Sequence, residues 1–222
     1  MKNRRYILLV LPTLLFVTMA VAQRSHYNIR NYIVIQGGIT QYDILTDTFE
    51  TTSDTGWAAG LETMVNVPHK WYDVSFGILF SDNTLNILAE SSGSSSPREM
   101  LPYKVSAAQF ITCLHAKILK DNLTIDFGPV VQANSKLVLQ NTNKADYLIA
   151  GHDALYAKDI EDISKFNING LVGITTGFKH FRLSAQYQYG FTNTLSKLND
   201  LNTNTTFKGN QSQWVFTAMV LF

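Results

Sequence analysis

The sequence contains little of what is typical of several protein classes. Its 222 residues include a single cysteine, Cys113, so no internal disulfide can form and a disulfide-stabilised secreted fold is excluded. Charged residues make up 16% of the chain, and Lys plus Arg (18) nearly equal Asp plus Glu (17). No basic stripe indicates nucleic-acid binding. After Phe16 no apolar run approaches the roughly 20 residues that a spanning helix needs, which excludes a helical membrane protein.

The N-terminal segment has the pattern of a cleaved export signal. A basic start, Met1–Tyr6, precedes the apolar run Ile7–Phe16, and Ala20-Val21-Ala22 has the small residues of a cleavage site. We expect cleavage before Gln23, so that residues 1–22 are a signal peptide and residues 23–222 form one domain. An N-terminal membrane anchor is the alternative, but the apolar run is shorter than a spanning helix requires.

Eight segments alternate apolar and polar residues with the period of two that is typical of β-strands. The third segment shows the pattern most cleanly, because Tyr72, Val74 and Phe76 all fall on one face. Pro129 interrupts the fifth segment and predicts a local bulge, since proline has no N–H for the ladder. The predicted strands are Tyr32–Tyr42, Gly56–Val67, Trp71–Ser81, Lys104–Leu119, Leu123–Asn134, Phe166–Phe178, Phe181–Phe191 and Gln213–Phe222.

The connections between these segments alternate in length. Short turns at 68–70, 120–122 and 179–180 separate long loops at 43–55, 82–102, 135–165 and 192–211. Outer-membrane β-barrels have short periplasmic turns and longer outer loops. The sequence therefore predicts an all-β fold, an eight-stranded antiparallel up-and-down transmembrane β-barrel with short periplasmic turns and long outer loops. Within the loops, Ser91–Pro97 reads as flexible and Asp153–Ser164 as a short helix.

The composition of the polar face distinguishes a membrane barrel from a soluble one. A water-facing exterior is usually dense in Lys and Glu, but this face is mostly Gly, Ser, Asn and Gln. Such residues suit the narrow interior of an eight-stranded barrel, so we expect the apolar face to meet lipid. A soluble carrier with an inward apolar face is the alternative. Aromatic residues near the strand ends are typical of interfacial girdles; they are Trp57, Trp71, Tyr72, Phe181, Tyr189 and Trp214.

The few ionisable residues of the polar face are predicted to point into the barrel. Because an unpaired buried charge is costly, we expect them to form a structural network that fills the lumen, with a carboxylate partner for Arg182. A proton relay or gated pore is the alternative, and the spacing does not distinguish it. The residues are Glu62, Asp73, His115, Lys117, Asp126 and Arg182.

The last strand carries a second candidate site. Trp214 and Phe216 lie on its apolar face, and it ends on Phe222. An alternating strand that ends in Phe resembles the signal by which assembly machinery recognises outer-membrane barrels. We therefore expect the barrel assembly machinery to be a partner during insertion.

The export signal, the eight-strand rhythm and Phe222 resemble small bacterial outer-membrane β-barrels of the OmpX and OmpA type. More narrowly, Gly128-Pro129, Gly170 to Gly177 and Tyr187 to Asn193 resemble the PorT-like barrel family. The resemblance implies the barrel fold. We expect a non-enzymatic integral outer-membrane protein that acts through its outer loops or barrel wall as a binding or assembly subunit in a membrane complex. Some members of that family are similar to components of protein secretion machinery. The implied partners are outer-membrane lipid and other outer-membrane proteins, and not nucleic acid.

An outer-membrane hydrolase or acyltransferase acting on lipid A or phospholipid is the rival function. Such an enzyme needs a nucleophile within reach of a base, but His152-Asp153 and Ser91–Ser96 are far apart in sequence and have no elbow motif. The chain has no Cys and His with zinc spacing and no glycine-rich phosphate loop. We therefore expect no catalytic residue, no metal and no cofactor.

Overall fold

The computed structural model describes residues 29–91, 97–120, 122–152, 154–201 and 205–222. The predicted signal peptide and most of Ser91–Pro97 lie outside these ranges. Within them, no helix is long and apolar enough to cross a membrane. The described residues form strands β1 (Arg30–Thr46), β2 (Thr51–Asn66), β3 (Tyr72–Glu90), β4 (Arg98–Leu119), β5 (Leu123–Asn134), β6 (Val138–Leu139), β7 (Leu148–Ile149), β8 (Phe166–Gly177), β9 (Phe181–Gly190) and β10 (Gly209–Leu221), and 3₁₀ helices Thr142–Lys144, Ala157–Glu161 and Ser196–Leu201.

The eight long strands form a closed ring in which all neighbours are antiparallel. They follow chain order around the ring, with β6 and β7 inserted in the connection from β5 to β8. Pairing of β10 with β1 closes the ring, and Gly38 permits the close approach, because a Cβ there would lie 1.8 Å from the carbonyl oxygen of Phe216. The prediction of an all-β fold with eight antiparallel strands is confirmed. We name the end with the short connections the turn end and the opposite end the loop end.

The strands extend further towards the loop end than the sequence predicted. The interpretation of 43–55 and 82–102 as loops was wrong for most of their length, because β1 runs to Thr46, β2 begins at Thr51, β3 runs to Glu90 and β4 begins at Arg98. Two-residue alternation does continue through these segments. It was missed because the apolar residues change from one face of the sheet to the other.

The two faces of β3 exchange polarity along the strand. Near the turn end the exterior is apolar, as at Phe80, which is 55% exposed, while Ser81 is buried inside. Beyond this point the exterior carries polar residues such as Asn86, and Ile87 is fully buried on the inner face. The first arrangement is typical of a strand in lipid, and the second of a strand whose outer face meets water.

A large apolar cluster fills the loop end, and we name it the cap. The inner faces of β1, β3 and β4 contribute to it, together with the connections from β5 to β8 and from β9 to β10. Burial of this much apolar surface orders loops that the polar composition alone would leave unstructured. The cap consists of Tyr42, Ile44, Phe49, Leu85, Ile87, Ala89, Leu101, Tyr103, Val105, Leu137, Leu139, Ile149, Leu155, Ala157, Ile160, Ile163, Leu195, Leu198 and Phe207.

The longest connection, 135–165, packs onto the cap through short regular pieces. Strand β6 pairs with β4, and β7 pairs with β3. The hydroxyl of Tyr103 donates a hydrogen bond of 2.9 Å to the carbonyl of Ala157. The short helix predicted within Asp153–Ser164 is a 3₁₀ helix limited to Ala157–Glu161, and Asp153 itself lies outside the described residues.

The bulge predicted at Pro129 is wrong. Ile111 lies opposite Val130 and Leu114 opposite Phe127, so β4 and β5 keep one register on both sides of the proline. The neighbouring Gly128 helps the strands to approach, since a Cβ there would lie 1.9 Å from the carbonyl oxygen of Thr112. The missing N–H of Pro129 is thus accommodated without a bulge, since neither strand has an inserted residue there.

Candidate functional site

The inward residues of β2 to β5 meet around His115, which is 1% exposed. Its Nδ1 lies 2.7 Å from Oδ1 of Asp126, and its Nε2 lies 2.7 Å from Oγ of Ser75. Oε1 of Glu62 is 3.8 Å from Nε2. Strand register brings these groups together, because Asp126 lies directly opposite His115, and Asp73 lies opposite it on the other side.

Hydroxyl groups surround the Asp126 carboxylate, which is fully buried. Thr124 donates to Oδ1 at 2.7 Å, and Thr175 donates to Oδ2. The hydroxyl of Thr175 also lies 3.0 Å from Oγ of Ser184 on β9. Hydrogen bonds to a carboxylate favour its charged form and offset the cost of its burial. The site therefore links β3, β4, β5, β8 and β9 across the lumen.

A second charge cluster closes the turn end of the lumen. Nζ of Lys117 lies 2.8 Å from Oδ1 of Asp73 and donates to the carbonyl of Val67 at 3.3 Å. Asp73 also accepts from the backbone N–H of Val67 at 2.9 Å and from the side-chain amide of Asn66 at 3.0 Å. The pair therefore fixes the turn between β2 and β3 while it satisfies two buried charges.

Arg182 lies apart from both clusters, which corrects the expectation that it would partner a carboxylate. Its Nη1 donates to the sulfur of Met64 at 3.4 Å, and its Nε has no hydrogen-bond partner. Within the described part of the chain it forms no ion pair. Strand phase predicted correctly that it points inward, where it is 4% exposed. Phase does not specify which carboxylate, if any, a long flexible side chain reaches.

A network of amides fills the lumen nearer the loop end. Gln109 donates to Gln132 at 2.7 Å and to Gln213 at 3.2 Å, and Gln211 donates to Gln132 at 2.9 Å. The sequence analysis noted the polar composition of this face but did not single out these residues. Their common signal is a Gln or Asn at an inward position of six of the eight long strands, β3, β4, β5, β8, β9 and β10. The network consists of Asn83, Gln109, Gln132, Asn169, Gln188, Gln211 and Gln213.

The exterior places the terminal aromatic residues on one face. Trp214 and Phe216 stack at a centroid distance of 6.1 Å, and Tyr187 lies 5.0 Å from Trp214. Phe222 is 67% exposed and exchanges backbone hydrogen bonds with Ile33. The predicted assembly-signal residues thus remain accessible on the outside of the ring.

Two tyrosine hydroxyls lie inside the cap. Burial raises the pKa of Tyr103, and the charge of Glu161 raises it further. Burial likewise raises the pKa of Tyr42, with a smaller effect from Asp43. Both phenols are therefore held in the neutral form, which suits an apolar environment.

The contacts of Ser75, His115 and Asp126 have the order of a nucleophile, base and acid triad. The sequence analysis placed His115 in the structural network of the lumen and did not consider Ser75 as a nucleophile. The only available signal was that the three residues lie inward on adjacent predicted strands. Ser75 and Asp126 are fully buried, so the arrangement is that of an enclosed hydrogen-bond network. No group of His, Cys, Asp and Glu among the described residues could hold a metal ion.

No protein-family model matches the sequence, and no curated protein sequence matches it. Among solved structures, the chain is similar to Neisserial surface protein A (NspA) at 10% sequence identity and a TM-score of 0.48. The alignment covers 88% of this chain and 99% of the NspA chain.

Proposed function

We propose that this chain is an integral outer-membrane β-barrel without catalytic activity, which acts as a binding or assembly subunit through its loop end. The observation that carries this proposal is the exchange of polarity along β3. Between the exchange and the turn end, the ring has an apolar exterior and a polar interior, as a barrel in lipid requires. Between the exchange and the loop end, the exterior is polar and the interior is the apolar cap.

The apolar exterior has the height expected of a membrane crossing. On β9 it runs from Phe181 to Tyr189, and on β10 from Trp214 to Phe222. These lengths are about the nine to eleven residues of a tilted transmembrane strand. Aromatic residues lie at both limits, as interfacial girdles do.

The interior favours a binding role over a transport role. Charge pairs, the amide network and the cap occupy successive parts of the lumen. Such side chains fill an eight-stranded interior. The protein therefore acts through its surface, and its packed loop end offers a rigid outer platform for other outer-membrane proteins, including those of a secretion complex.

Photo-crosslinking in intact cells tests this proposal. A crosslinking residue in place of Met100, which is 36% exposed near the tip of the β3–β4 hairpin, should capture outer-membrane proteins. The same group in place of Lys179, in the turn between β8 and β9, should give a different set of products or none. Recovery of the protein in a soluble fraction, or stepwise conductance in planar bilayers, would contradict the proposal.

The second candidate function is a hydrolase acting on lipid A or phospholipid, and the Ser75–His115–Asp126 contacts favour it. In this role Ser75 would be the nucleophile, His115 the base and Asp126 the group that orients the imidazole. A fluorophosphonate probe tests it directly. Labelling that disappears in Ser75→Ala, together with release of fatty acid from labelled lipid, would establish it. An unlabelled protein that releases no fatty acid would exclude it.

A further inference from the structure

A polar cavity of about 650 Å³ opens on the exterior, at the loop end of β1, β9 and β10. The turn between β1 and β2 forms one wall, and the start of β10 forms the other. Thr46 joins the two by donating from Oγ1 to the carbonyl of Lys208 at 2.6 Å. The cavity is lined chiefly by Asp43, Asp47, Glu50, Tyr189, Lys208 and Asn210.

The lining of this cavity has the chemistry of a carbohydrate site. Three carboxylates and the side-chain carbonyl of Asn210 can accept hydrogen bonds from hydroxyl groups. The side-chain NH2 of Asn210 donates one of its two hydrogens to the carbonyl of Gly190 at 2.8 Å, and its oxygen can accept a hydrogen bond from a sugar hydroxyl. Tyr189, which is 38% exposed, supplies an aromatic surface with a polar tip. A cavity with three carboxylates and a single lysine disfavours a phosphate.

A second, apolar cavity lies closer to the turn end on the same three strands and on the neighbouring part of β8. Its volume is about 560 Å³, and its lining includes Ile39, Leu183 and Phe216. Gly37 lies opposite Ala218, and these small residues make room between the larger side chains. Three paired residues lie between the two cavities: Gln41 on β1, Trp214 on β10 and Tyr187 on β9.

We propose that this face of β9, β10 and β1 binds a glycolipid, with the sugar head group in the polar cavity and an acyl chain in the apolar one. The two cavities match the two parts of such a molecule in polarity and in order along the strands. The acyl part rests on the proposed membrane placement, because only there does the apolar cavity meet lipid. The sugar part does not depend on that placement.

Binding to the full mature chain tests the proposal with three probes. These are an uncharged glycosyl diacylglycerol in nanodiscs, its free glycosylglycerol head group in solution, and nanodiscs of phosphatidylethanolamine alone. Native mass spectrometry counts bound molecules, and titration gives the affinity. We expect Tyr189→Leu and Glu50→Gln each to weaken binding of the glycosyl diacylglycerol by about tenfold, the factor that corresponds to roughly 1.4 kcal/mol. Phe166→Leu is the matched control, since this exposed aromatic at the loop end of β8 lines neither cavity.

Each result has a distinct meaning. Binding of both the glycosyl diacylglycerol and its free head group, weakened by the two variants but not by the control, supports sugar recognition. Binding of the glycosyl diacylglycerol alone with the same sensitivity supports a site that needs both parts of the glycolipid. Equal binding of phosphatidylethanolamine, or variants that bind like the parent, overturns the inference. A chain that fractionates with outer membranes but binds none of the probes contradicts only this inference, and leaves the proposed function standing.

Discussion

Lys117 and Arg182 are both cations of the lumen, and replacing each by methionine distinguishes a paired charge from an unpaired one. Nζ of Lys117 lies 2.8 Å from Oδ1 of Asp73. Lys117→Met leaves that buried carboxylate uncompensated, which we expect to cost about 3–5 kcal/mol. Arg182 contacts the sulfur of Met64 instead of a carboxylate. Arg182→Met removes a buried charge and leaves no anion unpaired. We therefore expect the free energy of unfolding to rise by between about zero and 2 kcal/mol.

The assay is urea unfolding of the refolded protein in lipid bilayers, followed by tryptophan fluorescence. Leu183→Ala is the control, because Leu183 is 51% exposed on the exterior and lipid can fill the space that it leaves. The double variant Lys117→Met with Asp73→Asn should recover part of the loss, since no uncompensated charge remains. A double-mutant cycle then gives the coupling between the two residues.

Two results would refute this reasoning. If Arg182→Met destabilised the protein as much as Lys117→Met, then Arg182 would have an anionic partner that the geometry does not provide. If Leu183→Ala were the most damaging of the three changes, the assignment of inside and outside on β9 would be reversed.

Three further predictions concern orientation, assembly and alkaline stability. In intact cells, a membrane-impermeant maleimide should label Lys208→Cys but not Lys179→Cys; the reverse pattern would invert the topology. Deleting Phe222 removes an exposed aromatic and its backbone bonds to Ile33, so fractionation should show less protein in the outer membrane and more in the periplasm, and unchanged levels would count against the signal. Burial raises the pKa of Tyr103 above its ordinary value of about 10, so the folded state keeps this phenol neutral where the unfolded chain ionises. The stability that the neutral Tyr103 phenol contributes to the folded state is present below about pH 10 and is lost as the pH rises further. Tyr103→Phe should be less stable than the parent by roughly 1 kcal/mol at neutral pH, through loss of one hydrogen bond, and should lose less stability above about pH 10; parallel stability curves would refute this.

The number of strands, their order and the face on which each residue lies were predictable, because all three depend on local alternation. The side chains of a strand point alternately to its two faces, so the inward direction of His115, Asp126 and Arg182 follows from their places in the pattern. The partners of these side chains were not predictable in the same way. Register brought Asp126 opposite His115, but the reach of Arg182 depends on rotamers and neighbours that a pattern does not contain.

The proline and the triad show the same limit at a finer scale. Pro129 predicted a bulge from its missing N–H, yet the adjacent Gly128 allows close approach of β4 and the register is kept. The contact of Ser75 with His115 depends on a separation of 2.7 Å between two side-chain atoms on neighbouring strands. Alternation specifies which face a residue occupies, whereas such contacts need the register of a folded sheet.

The cap is the largest feature that the sequence analysis missed, and the reason is that the apolar residues of β3 change from its outer to its inner face along the strand. Alternation has the same period throughout β3, but its apolar member lies outside at Phe80 and inside at Ile87. A pattern method that assumes one environment per strand assigns the half of β3 near the loop end to a loop. The apolar residues of that half are out of phase with the apolar residues near the turn end. The position of this phase change carries information of its own. It marks the level at which an apolar exterior stops being favourable, and the polar cavity beside Tyr189 opens where the exteriors of β1 and β10 make the same change, at Asp43 and Asn210.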